Sequence, residues 1–171
     1  MDGLILILIY FIAAIASLII VFNGVFYGAM YMKIPKRKLK RIIELGALKE
    51  GVLVYDLGAG MGRIMLEAAK TGAHVVGYEI DRAKCFWVQA QIKHKMQYNA
   101  EIVQGNLLNA DLSEPDIVYA YLSPPLMKSI GEKAIKEMKP GARIISVEHK
   151  IPDWTPTFQD EKEKIYVYQK T

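Results

Sequence analysis

Asp56-Leu57-Gly58-Ala59-Gly60-Met61-Gly62 is the segment of this 171-residue chain whose residue types and spacing point most directly to chemistry. An apolar run ending in Leu57 enters three glycines spaced by two and two, and a helical pattern follows. Glycine belongs there because the backbone must turn tightly and let a ligand approach where a Cβ would block it. The dinucleotide fingerprint is GxGxxG, whereas this is GxGxG with an acid two residues ahead. A pyrophosphate seeks a helix N-terminus without a carboxylate nearby, while a nucleoside ligand carrying an ammonium group tolerates or uses Asp56. Tight strand-to-helix packing alone is the plainer explanation of the glycines.

Two further signals sit where such a ligand would need them. Glu79 ends the second expected strand, about 20 residues on, where a carboxylate accepts the hydroxyls of a ribose. Asp81 competes for that role from a less favourable place beyond the strand end. Gly105-Asn106-Leu107 follows the third expected strand, where an amide can meet an adenine edge. All three fall at the carboxyl ends of neighbouring strands, the crevice in which open α/β sheets bind ligands.

These positions need a scaffold, and the hydrophobic pattern supplies one. Strands are expected at Val52 to Leu57, His74 to Ile80, Ala100 to Gln104, Asp116 to Leu122 and Arg143 to Glu148. Helices are expected from Lys36 to Gly46, Arg63 to Lys70, Ala83 to Gln97 and through Leu126, Ile130, Ala134 and Met138, with Pro140-Gly141 as a stop. Ile165 to Tyr168 reads as a last strand with Thr155 to Phe158 as its hairpin partner. Alternation of this kind gives a mostly parallel, doubly wound α/β sheet.

Composition divides the chain into two regimes. Overall it is 52% apolar with mean hydropathy +0.14, but 26 of the first 32 residues are apolar and none from Gly3 to Met32 is charged. About 20 apolar residues cross a roughly 30 Å hydrocarbon core, so residues 1–32 are expected to form one transmembrane anchor. A secretory signal would want a basic start and a shorter apolar stretch. Lys33, Lys36, Arg37, Lys38, Lys40 and Arg41 make 33–41 a basic juxtamembrane linker. The positive-inside rule then places it, and the domain at 42–171, on the cytoplasmic side of a single-pass protein, with membrane lipid as the anchor's partner. Without those six, 16 basic residues face 17 acids once Asp2 is set aside, so nucleic acid is not an expected partner. The single cysteine, Cys85, and three scattered histidines give neither an internal disulfide nor metal-ligand spacing, and no metal is expected.

DLGAGMG, Glu79 and Gly105-Asn106 together resemble the cofactor motifs of Rossmann-like class I methyltransferases that use S-adenosylmethionine, over the chain from about Pro35 onward. The resemblance implies that Asp56, Gly58, Gly60, Gly62, Glu79, Asn106 and Leu107 bind this cofactor. After the fourth strand stands Tyr121-Leu122-Ser123-Pro124-Pro125-Leu126. Amino-group methyltransferases of this kind often carry Asn or Asp there, then Pro-Pro and an aromatic. Ser123 and Leu126 depart from that pattern, and no aromatic at 126 is present to stack a flipped base.

The loop, Trp154 between Pro152 and Pro156, and the terminal Tyr-Val-Tyr strand are similar to the membrane-anchored protein-lysine methyltransferases that modify the ATP synthase c-ring protein or the adenine nucleotide translocase, and to archaeal relatives. That likeness implies an enzyme acting on an accessible lysine of a protein, including one at a membrane, with Tyr121, Ser123 and Pro124 on the substrate side. A methyltransferase of lipid or quinone head groups, and a non-enzymatic nucleoside-binding module, are the alternatives. Glu148 and His149 end the fifth strand within reach of the crevice, but no partner spacing supports a catalytic role. Cys85, Met127 and Met138 read as core.

Overall fold

The computed structural model describes residues 2–26, 34–95 and 98–171. Met1, residues 27–32 of the expected anchor, Lys33 of the basic flank and Met96-Gln97 of the expected helix end lie outside them. The chain forms two compact units, Met1–Met32 and Lys33–Thr171.

The described residues of the first unit form one helix, α1 (Asp2–Phe26). Its side chains are described from residue 3 to residue 18, and Leu4, Ile7, Tyr10 and Leu18 among them are exposed. Among the described residues no helix is long and apolar enough to cross a membrane. The crossing expected from the sequence is therefore not shown by the fold.

The second unit runs α2 (Lys36–Gly46), β1 (Leu53–Leu57), α3 (Arg63–Ala69), β2 (His74–Glu79), α4 (Arg82–His94), β3 (Ala100–Gln104), β4 (Ile117–Ala120), α5 (Pro124–Glu137), β5 (Arg143–Val147), β6 (Phe158–Asp160) and β7 (Ile165–Gln169). The seven strands lie in the order β3-β2-β1-β4-β5-β7-β6. The first five are parallel, and β7 runs antiparallel to both β5 and β6. Successive strands build outward from β1 to β3, then restart on the other side at β4. That reversal opens a crevice at the carboxyl ends of β1 and β4.

Strands buried on both faces explain the near-continuous apolar runs of β1, β4 and β5. On one face Ile42, Ile64, Met65, Val88 and Ile92 from α2, α3 and α4 pack on Val54, Val75, Tyr119 and Ile145. On the other, Met127, Ile130 and Ala134 from α5 pack on Leu57, Val118, Ile144 and Tyr168. Odd and even positions of each strand thus serve different helix layers. Arg143 ties the first layer to the sheet by donating from Nη1 and Nη2 to the carbonyls of Leu45 (3.1 Å) and Gly46 (2.8 Å) at the end of α2. A cation there satisfies helix-terminal acceptors.

One element sits differently from the sequence expectation. The partner of the last strand is Phe158–Asp160 rather than Thr155 to Phe158. Thr157 donates to the Val167 carbonyl through its amide (2.8 Å) and Oγ1 (3.1 Å), and the ladder continues from there to Asp160 opposite Ile165, closing over a shorter turn. Trp154 is held back from the strand, its ring 5.3 Å from that of Tyr168.

Candidate active site

The loop after β1 is built by three left-handed glycines, with φ of +78° at Gly58, +57° at Gly60 and +75° at Gly62. Their missing side chains serve different neighbours. A Cβ on Gly58 would lie 2.8 Å from Leu122 Cδ2 and 3.7 Å from Leu107 Cδ2. One on Gly62 would lie 3.0 and 3.1 Å from the Val88 methyls of α4. At Gly60 the nearest neighbour is the Gly58 carbonyl oxygen at 3.9 Å, so this position faces open space. Gly58 lets the β4 loop close in, Gly62 lets α4 close in, and Gly60 leaves a cradle. Gly62 therefore makes its left-handed turn where the loop packs against α4.

Glu79 fixes the loop. It is 4% exposed, and its Oε2 accepts from the Gly60 amide at 2.8 Å while Oε1 accepts from the Asp81 amide at 2.9 Å. A carboxylate offers about four lone-pair directions, so each oxygen keeps capacity to accept a further hydrogen bond, with the Lys84 ammonium 4.0 Å from Oε1. Asp81 is the N-cap of α4, its Oδ1 accepting from the amides of Ala83 (2.9 Å) and Lys84 (3.3 Å). Capping commits the competitor and leaves Glu79 as the inward acid. Cys85, expected to be core, is buried and also donates to the Glu79 carbonyl at 3.3 Å.

Asp56 is 3% exposed, and its Oδ2 accepts from the Met65 amide in the first turns of α3 at 3.0 Å. Burial drives its pKa up to about 7, against the pull of the Met65 amide and with a further push from the nearby Glu79 charge. One oxygen of the acid expected to meet a ligand thus holds α3 onto β1. Beyond β3, Asn106 is exposed and its Oδ1 accepts from the Leu108 amide at 3.0 Å, starting a short helical turn at 107–109. Leu107 is half-buried and packs toward Gly58.

On the other side of the crevice, Tyr121 is half-buried, Ser123 precedes α5, and Pro124 and Pro125 form its first positions. Proline suits that place because its missing amide has no partner to lose and its φ is already helical. Ser123 bonds Met127 through its carbonyl (2.9 Å), while its hydroxyl does not cap the helix. Leu122, one residue earlier, is the side chain that meets Gly58. The structure thus brings Asp56, Gly58, Gly60, Glu79 and Leu107 together at one rim and sets Tyr121, Ser123 and Pro124 on the adjoining one.

Glu148 joins this second rim, although its spacing in the chain gave no sign of a partner. It follows β5 in a left-handed conformation, φ +69°, unusual for a residue with a side chain. Its carboxylate pairs with Lys38 of α2 through one oxygen and with Lys164 of the β6–β7 turn through the other, at 3.5 Å for Lys164. Burial opposes its charge, but these two ammonium groups prevail and hold its pKa below the usual carboxylate range. Burial, and then this negative charge, push the Tyr121 phenol up. Both ammonium groups come from segments more than ten residues away in sequence, which is why no local pattern revealed the cluster. His149 contributes its backbone carbonyl to the Ser146 hydroxyl. Among the described residues no cluster of His, Cys, Asp or Glu could hold a metal ion.

A nucleoside ligand bearing an amino-acid tail fits the first rim: an open cradle at Gly60, a buried acid with lone pairs to spare, and a second buried acid beside it. The comparisons agree. Residues 56–158 match the model of the ANTKMT methyltransferase domain. Over 129 residues the chain is 35% identical to a protein-lysine N-methyltransferase of Saccharolobus islandicus, covering 74% of this chain and 80% of that protein. It is 26% identical to the Rattus norvegicus lysine N-methyltransferase that acts on the ATP synthase C-subunit, over 74% of this chain, spanning 58% of that relative's length. The crystal structure of an RNA methyltransferase from Salinibacter ruber in complex with S-adenosyl-L-homocysteine aligns with TM-score 0.74 and 32% identity over 82% of this chain and 93% of that one. The chain belongs to the ANTKMT methyltransferase domain family and is an enzyme that uses S-adenosylmethionine.

Proposed function

We propose that the protein methylates the side-chain amine of a lysine in a protein substrate. The observation that carries this reading is the second rim: a Ser-Pro-Pro loop without an aromatic at 126, flanked by Tyr121 and by a carboxylate that already holds two lysine ammonium groups. S-adenosylmethionine supplies an activated methyl on a sulfonium. Gly60, Glu79, Asn106 and Leu107 would hold it, with Asp56 beside its amino-acid end.

The chain's own task is to align donor and acceptor about 3–3.5 Å apart, a contribution that reaches several kcal/mol when the geometry is rigid. Leu122 packed on Gly58 and the prolines at the start of α5 fix the acceptor loop relative to the donor cradle. A lysine enters as an ammonium, with a pKa near 10.4 in water. Enclosure of the amine beside Tyr121 and Pro124 as the substrate binds favours release of its proton to bulk solvent, because burial disfavours the charged amine. Tyr121, whose raised pKa keeps the phenol neutral, and Ser123 then orient the free amine by hydrogen bonds, and methyl transfer leaves S-adenosylhomocysteine.

We propose further that residues 1–32 hold this domain at a membrane, with the domain on the cytoplasmic side. The support is the charge-free run from Gly3 to Met32 and the basic flank that follows it. The name of the Salinibacter relative favours RNA as a second reading; the near-neutral domain and the absence of an aromatic at 126 oppose it.

The test incubates the full chain in detergent with methyl-labelled S-adenosylmethionine, a membrane fraction, and RNA. Label recovered as methyl-lysine after acid hydrolysis of the protein fraction supports the proposal. Label in RNA, or in the organic extract containing lipids and quinones, overturns it.

A further inference from the structure

We infer that the outer face of α4 is a lipid-contact surface that rests on the head-group layer of an anionic membrane. Phe86 is 79% and Trp87 52% exposed, two adjacent large aromatics that the cofactor and substrate rims do not use. They lie opposite the face that buries Cys85, Val88 and Ile92 in the core. With 3.6 residues per turn, Arg82, Ala83, Phe86, Trp87, Ala90, Lys93 and His94 share the outer side, and all of them are exposed. The helix carries no acid from Arg82 to His94. Asp81, just before it, is spent on capping and on Lys84.

An aromatic pair framed by basic residues is the composition of a helix lying in a membrane interface: the rings enter the acyl boundary and the cations meet anionic head groups. Tryptophan suits that depth because its body is apolar and its indole N–H remains hydrogen-bonded. The other occupants fit less well. Two copies of the face would bring like charges together. A nucleic acid would call for a basic domain, whereas the chain after residue 41 is close to neutral. The chain also has its own reason to be at a bilayer, the charge-free run from Gly3 to Met32, so the inference rests on the membrane reading proposed above.

The chain has two tryptophans, which makes the test direct. The full chain is reconstituted with vesicles of phosphatidylcholine, with and without phosphatidylglycerol, containing lipids brominated near the head group. Wild type is compared with Trp87→Phe, a substitution at an exposed site that leaves the core untouched. The inference expects bromine quenching in the wild type that is lost in Trp87→Phe and is stronger with phosphatidylglycerol. Equal quenching in both proteins, or a Trp87 that stays open to aqueous acrylamide on the vesicles, overturns it. So does protection of Trp87 by RNA or by a protein fraction in place of vesicles. Flotation of the same samples separates the two readings. A chain that floats without Trp87 quenching keeps the anchor and loses the α4 face; a chain that does not float loses both.

Discussion

Replacing Gly60 and Gly62 separately by alanine distinguishes ligand approach from packing. Gly60→Ala adds a methyl that meets no residue beyond its chain neighbours closer than the Gly58 carbonyl oxygen at 3.9 Å, at φ +57°. The left-handed backbone costs a side-chain-bearing residue about 1–2 kcal/mol, and no overlap adds to it. Gly62→Ala has the same backbone cost and also drives a methyl to 3.0–3.1 Å from Val88, which is fully buried and has nowhere to go. Overpacking of this kind adds about 1–3 kcal/mol. Gly62→Ala should therefore lower the melting temperature more. For binding the order reverses, since the new methyl at Gly60 occupies the cradle. With S-adenosylhomocysteine at about 100 times Kd, ligand stabilises the wild type by about 2.7 kcal/mol. A tenfold loss of affinity in Gly60→Ala reduces that to about 1.4 kcal/mol at the same concentration. Thermal unfolding with and without ligand, checked by calorimetric titration, measures both quantities. A Gly60→Ala protein with undiminished ligand shift, or a Gly62→Ala protein that keeps its stability and loses the ligand shift, would refute the assignment of roles.

Two other outcomes are open to measurement. Because burial raises the pKa of Asp56 from 3.8 to about 7, the folded state binds a proton that the unfolded state has released. Its contribution to stability is complete below about pH 4 and lost as pH rises to about 7. Asp56→Asn should flatten denaturation midpoints across that window, and an unchanged slope would contradict the buried-acid reading. Gly46→Ala should destabilise by roughly 1–3 kcal/mol in urea, because its Cβ would fall on the hydroxyl of Tyr119, which is buried and donates to the Ile42 carbonyl at 3.3 Å. Tyr119→Phe should recover part of the loss, and strictly additive effects in the double variant would show that the two groups do not meet.

Much of the scaffold was legible because its causes are local. Ala100 to Gln104 is a strand over the expected residues, and the other parallel strands differ by a residue or two at their ends, where pairing rather than composition sets the limit. Gly46 ends α2 as read, since the next residue takes the left-handed conformation that stops a helix. Residue types put the last hairpin a few residues early, at Thr155 to Phe158, whereas its register is set by pairing with Val167 across the turn.

Sequence by itself determined that a glycine-rich turn follows a buried strand, that an acid ends the next strand, and that the chain begins with a long apolar helix-forming segment. Each is a property of neighbouring residues and their period. Tertiary structure alone decided which glycine is left without a packed neighbour, which acid is buried against the glycine loop, and that Glu148 stands beside Tyr121 with Lys38 and Lys164 on its carboxylate. Those outcomes depend on strand order and on side chains arriving from distant segments, and no local period encodes which of several suitable residues will meet across a sheet.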